Sequence, residues 1–215
     1  GNQQSPGGGV LQRRGPRTEP GATVAFAYGK GHTGPRLREG VGEEEISASG
    51  VLTPAGPAEV WDDDRSDVIG AVSGKLGFRQ KNVDLEGYGH WYEQHQFTPR
   101  FTTPFTYFSL IGAESALVAL RTPDEVRGFI RRGAEVERLS GLEVSPVAES
   151  RRLRLTTAEG LEIELQTHDV HRYTMPIQRR RRPCSVATVD LEGRRLVGII
   201  DDWMEDEFPA ELDAP

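Results

Sequence analysis

The sequence predicts an all-β protein, an antiparallel sandwich or barrel, and three observations support this. Apolar and β-branched runs of about five to nine residues recur along the chain, nearly all ending at Gly, Pro or Asp. Several of them alternate apolar and polar residues with a period of two, which suits a half-buried strand. Two pairs of runs are joined by short glycine turns, Ala158-Glu159-Gly160 and Glu192-Gly193, the pattern of a β-hairpin.

The elements follow in order. Of 25 Gly and 14 Pro in the 215-residue chain, 13 Gly and 6 Pro fall within residues 1–59. Residues 1–21 have almost no apolar content and read as a disordered tail. They carry neither a secretory nor a transit pattern, and the missing initial Met reads as a fragment or a processed chain. Residues 22–59 form a Gly/Pro-rich segment in which 23–28 and 46–52 read as short strands. A barrel or sandwich domain is expected over 60–203. Within it, 68–76 is β-branched with small residues, 82–89 alternates Val83 and Leu85 with Asp84 and Glu86, and 101–111 is rich in Phe, Thr and Tyr, which favour a pleated sheet. Strands are also expected at 115–120, 153–157, 161–166, 186–191 and 195–200. Thr122-Pro123-Asp124-Glu125 has the form of a helix start, which the local signals slightly favour, and also that of a Pro-Asp turn between two strands. Residues 204–215 read as an acidic tail.

Composition excludes several functions. The net charge is −7, which argues against a general nucleic-acid binder. No apolar run approaches the ~20 residues of a membrane helix. The single cysteine, Cys184, cannot form an internal disulfide or a cysteine zinc site, and a reducing, cytoplasmic setting is expected.

The densest polar and aromatic stretch is 87–100, GYGHWYEQHQFTPR. On a strand, His90 and Tyr92 share one face while Trp91, Glu93 and His95 share the other. Glu93 and His95 would then lie ~6–7 Å apart along the strand. A carboxylate beside an imidazole is a workable proton-transfer pair. The same pattern describes a partly buried strand whose polar side chains bond their neighbours. No metal site is expected, because His90/His95 and His168/His171 have odd spacings that put each pair on opposite faces of a regular strand. Cys184 follows the basic run Arg179–Arg182, yet a lone cysteine is commonly inert packing. That basic run reads as a solvated loop, and Asp62-Asp63-Asp64 as a charged turn.

In order and spacing the segments Gly87-Tyr88-Gly89-His90-Trp91-Tyr92-Glu93-Gln94, Arg100 with its aromatic strand, Gly128-Phe129-Ile130-Arg131-Arg132-Gly133, and Leu191-Glu192-Gly193-Arg194 resemble the second barrel of the lipocalin-like carotenoid 1,2-hydratase and AttH-like superfamily. The resemblance implies an antiparallel calycin-like barrel, or a strongly bent sandwich, and favours the turn at 122–125. It reads 22–59 as a remnant of a first barrel. It further implies a site for a hydrophobic small molecule (lipid, terpenoid or polyketide), with no cofactor. In a hydratase or cyclase of this kind Glu93 would be the acid, assisted by His90 or His95. Trp91, Tyr92, Phe105 and Tyr107 would wall the ligand, and Arg100 would orient it. A carrier without chemistry and a structural domain with a filled barrel are the alternatives.

Overall fold

The computed structural model describes residues 24–28, 46–62, 65–78, 81–94, 104–146, 149–177 and 180–203. Among them the chain is all-β, and no helix is long and apolar enough to cross a membrane. The strands are β1 (Val24–Tyr28), β2 (Ile46–Pro54), β3 (Glu59–Asp62), β4 (Arg65–Phe78), β5 (Lys81–Gln94), β6 (Phe105–Ile111), β7 (Ser115–Arg121), β8 (Val126–Arg132), β9 (Glu135–Val144), β10 (Ser150–Thr157), β11 (Glu162–Ile177), β12 (Arg180–Leu191) and β13 (Arg194–Trp203).

The chain divides into two compact units. One takes the residues up to Glu59 with Asp67–Trp91, and the other takes Val60–Ser66 with the residues from Tyr92 onward. The first unit is built on β1, β2, β4 and β5, with β1 paired to β2 and both β2 and β5 paired to β4. The β2–β4 ladder runs antiparallel from Ile46↔Phe78 to Pro54↔Gly70, and among the described residues Leu52 and Ile69 are buried apolar side chains of this unit.

In the second unit β6 to β13 close into a barrel. Each strand pairs with its successor, and β13 returns to β6 from Val197↔Ile111 to Trp203↔Phe105. Closure removes both sheet edges and turns one face of every strand inward. The inward residues are those that the period-two pattern makes apolar. On β10, Leu153 and Leu155 are buried while Arg152 and Arg154 are exposed. All eight strands contribute to one apolar cluster, with Phe108, Leu117, Ile130, Leu155, Leu191 and Ile200 among its fully buried members.

The structure alters three sequence expectations and selects the turn between the two readings of 122–125. The barrel domain expected over 60–203 closes within β6–β13 alone, because β4 spends nine positions pairing with β2. Thr122–Glu125 is a turn. Its helix-start signal is real but local: Thr122 Oγ1 accepts from the backbone N–H groups of Asp124 and Glu125, and the Thr122 N–H donates to the Glu125 carbonyl. Strand β9 had no counterpart in the sequence reading. Finally, the run read as a loop at Arg179–Arg182 is strand from Arg180 onward, because the β11–β12 ladder extends to Ile177↔Arg180.

Two interior glycines let neighbouring strands approach. A Cβ on Gly198 would lie 1.8 Å from the Ser109 carbonyl oxygen, and one on Gly128, whose φ is +142°, would lie 2.2 Å from that of Val118. Gly198→Ala is therefore expected to cost at least about 2 kcal/mol in urea denaturation, within the range of severe core strain. Gly87→Ala, where an added Cβ meets nothing within 4 Å, should change stability by about 0.5 kcal/mol or less. Equal small effects would contradict the close approach of β13 to β6.

Candidate functional site

The residues singled out in 87–100 fall in different surroundings. His90 lies in the first unit, where its Nε2 is 2.5 Å from Asp67 Oδ1, and both side chains are almost completely buried. Adjacent strands β4 and β5 bring this pair together, so the carboxylate facing His90 comes from the neighbouring strand. Gly89 packs closely against β4, where an added Cβ would lie 2.5 Å from Val72 Cγ2. Trp91 is half-buried, and its Nε1 is buried without a hydrogen-bond partner. Glu93 is half-buried on β5. His95 and Arg100 lie outside the described residues.

In the second unit Tyr92 and Tyr107 do come together, around a cation. The guanidinium of Arg65 stands 4.1 Å from the ring centre of Trp61, 4.4 Å from that of Tyr92 and 5.2 Å from that of Tyr107. Its Nη2 also donates to the Tyr107 hydroxyl at 2.9 Å. Cation–π attraction of this kind is worth more once desolvated, and Arg65 is buried. Two of the rings that the resemblance assigned to the ligand wall, Tyr92 and Tyr107, are turned toward a resident arginine. Tyr107 and Phe105 alternate with the buried Thr106 and Phe108, so they stand on the outer face of the barrel. Trp61 packs edge-on against Phe129 with ring centres 6.4 Å apart.

Inside the barrel, one end carries a polar group that the sequence reading missed. Arg151 spans from β10 to Asp202 on β13 with a two-pronged ion pair, Nη1–Oδ1 at 3.0 Å and Nη2–Oδ2 at 2.7 Å. Thr106 Oγ1 donates to the same Oδ1 at 3.1 Å. Thr167, Asp169 and Ser185 face inward from β11 and β12, in register with or two residues from Arg151, Val189 and Ala187. Arg151 Nε, Thr167 Oγ1, Asp169 Oδ1 and Ser185 Oγ are buried without hydrogen-bond partners. A buried polar atom left this way costs about 1–3 kcal/mol. The signal was available: stepping by two from Leu155 and Leu153 leads to Arg151, and from Leu165 to Thr167 and Asp169. The opposite end is closed by ions as well. Arg132 pairs with Glu137 and, at 3.1 Å, with Glu192.

On the outer face Arg154 lies between Glu164 and Glu143, and its hydrogen bonds to the Glu164 carboxylate, followed by the charge of Glu143, raise its pKa above the ordinary arginine value. A hollow of about 480 Å³ beside it includes Arg152, Ser145 and Gln166 in its lining. Cys184 is buried, and its Sγ donates to the Asp201 carboxylate, Oδ1, at 2.7 Å.

Among the described residues there is no group of three or more His, Cys, Asp or Glu side chains placed to hold a metal. The expectation that His168 and His171 face opposite ways fails, because β11 is not regular there. Register shifts between Asp169 and His171, and the extra residue returns His171 to the face of His168.

No family model matches the chain, and neither the curated proteins nor the solved structures contain a match.

The Arg151–Asp202 pair gives a direct test of the polar end. Arg151→Met or Asp202→Leu alone should lower stability by about 3–5 kcal/mol, because each leaves an unpaired buried charge. The double variant should recover most of that loss in chemical denaturation. Additive losses would show that the two side chains do not share one buried pair.

Proposed function

We propose that the barrel is a non-catalytic scaffold, filled by its own side chains, and that the chain works through its surfaces rather than an interior cavity. One observation carries this reading. Side chains from around the barrel, among them Phe108, Leu110, Leu117, Ile130, Leu196 and Ile200, have no exposed surface. A side chain lining a ligand cavity would offer surface to a water-sized sphere. Eight strands give an interior just wide enough for side chains to fill it, and interior close packing leaves few voids larger than a water molecule.

The closed up-and-down order of β6–β13 supports the lipocalin-like resemblance. Within that superfamily, a carrier of lipid, terpenoid or polyketide would need a concave, largely apolar cavity. A hydratase using Glu93 with His90 or His95 would need the same cavity with an acid aimed into it. The filled interior favours the structural alternative over both.

Organic extraction of the purified chain should therefore return no stoichiometric apolar molecule. Leu117→Ala is expected to cost about 2–5 kcal/mol and to leave a cavity that binds benzene or indole, which the parent chain does not bind. A parent chain that yields one equivalent of lipid or terpenoid on extraction would overturn the proposal.

A further inference from the structure

The bulge in β11 has a chemical consequence on the outside of the barrel. On the inner side of the same bulge, Arg172 Nε donates to Asp169 Oδ2 at 2.7 Å. Residues three apart therefore share a face here, which regular alternation forbids. The register carries His168 and His171 through the same shift. They pair with Thr188 and Val186, which stand two apart on β12 and so project from one face. The two histidines thus occupy the places of an i, i+2 pair on a regular strand.

Their surroundings suit metal ligation. Both histidines are exposed, so binding an ion would not require a charge to enter the core. The His171 ring stacks on Tyr173, with ring centres 6.1 Å apart and planes 15° from parallel, which restricts its orientation. Among the described residues their cross-strand partners, Thr188 and Val186 on β12 and Ser150 on β10, carry no charge that would repel a cation.

We propose that His168 and His171 form a two-histidine site for a divalent transition-metal ion on the outer face of the barrel, with water completing the coordination shell. Imidazole pairs suit copper, nickel and zinc, with copper bound most tightly, whereas calcium and magnesium favour oxygen ligands. This site does not depend on whether the barrel interior is filled.

The test is titration of the untagged full chain with Cu²⁺ in a non-chelating buffer, read by calorimetry and by electron paramagnetic resonance. The parent chain should bind Cu²⁺ with two imidazole nitrogens in the hyperfine pattern of this site. His168→Ala and His171→Ala should each weaken that binding at least about tenfold, a loss of about 1.4 kcal/mol, and reduce the pattern to one nitrogen. His168→Gln and His171→Gln serve the same purpose if an alanine variant loses its far-ultraviolet β-sheet spectrum. Unchanged affinity in the substituted chains, or no binding by the parent chain at about 1 mM Cu²⁺, would overturn the site.

Discussion

The ladder between β13 and β6 is the interaction on which the barrel depends. Seven consecutive pairs, from Val197↔Ile111 to Trp203↔Phe105, convert a meander with two free edges into a closed surface. Once closed, each strand has one inward face, and the choice of residue at every second position becomes a choice of core. Phe108 and Ile200 sit opposite one another on the closing strands, and both are fully buried. Gly198 faces Leu110 in the same ladder; the absence of a side chain there leaves room for the Ser109 carbonyl. Small residues at the close approaches and large ones elsewhere are the means by which a small barrel is filled.

Closure also explains why the two ends are ionic. An apolar interior that ran to the rim would meet water at both ends. Arg132 with Glu137 and Glu192 closes one end, and Arg151 with Asp202 and Thr106 closes the other. A buried pair of this kind recovers its desolvation cost only with further hydrogen bonds. The second end is the less satisfied of the two: Arg151 Nε, Thr167 Oγ1, Asp169 Oδ1 and Ser185 Oγ have no hydrogen-bond partner there, against Arg132 Nη2 at the first.

Much of this was legible in the sequence, and the failures have physical causes. The alternation in 153–157 and the glycine turns at 158–160 and 192–193 were readable because local patterning and tertiary burial agree there. Strand β9 was not, because Gly141 interrupts its apolar positions and its ladder with β10 shifts register at Thr156/Thr157. The His168/His171 geometry was read the wrong way round because a bulge changes face without changing composition. Of the candidate site, Tyr92 and Tyr107 were named together only through the resemblance, as walls of a ligand site. Their partner Arg65, and the Asp67 that meets His90, come from a strand hairpin that sequence spacing alone does not align. Charge at inward positions such as Arg151 was visible by counting in twos from the leucines, but a charge on an apolar face is easily assigned to the surface.

The central claim is that side chains fill the barrel. Methyl NMR spectra recorded under increasing xenon pressure test it most directly, since xenon enters dry apolar cavities. The account predicts that the methyl signals of Leu110, Leu117, Ile130, Leu155, Leu196 and Ile200 show no saturable xenon-dependent shift. Saturable shifts confined to those inward-facing methyls would reveal an interior cavity and contradict it.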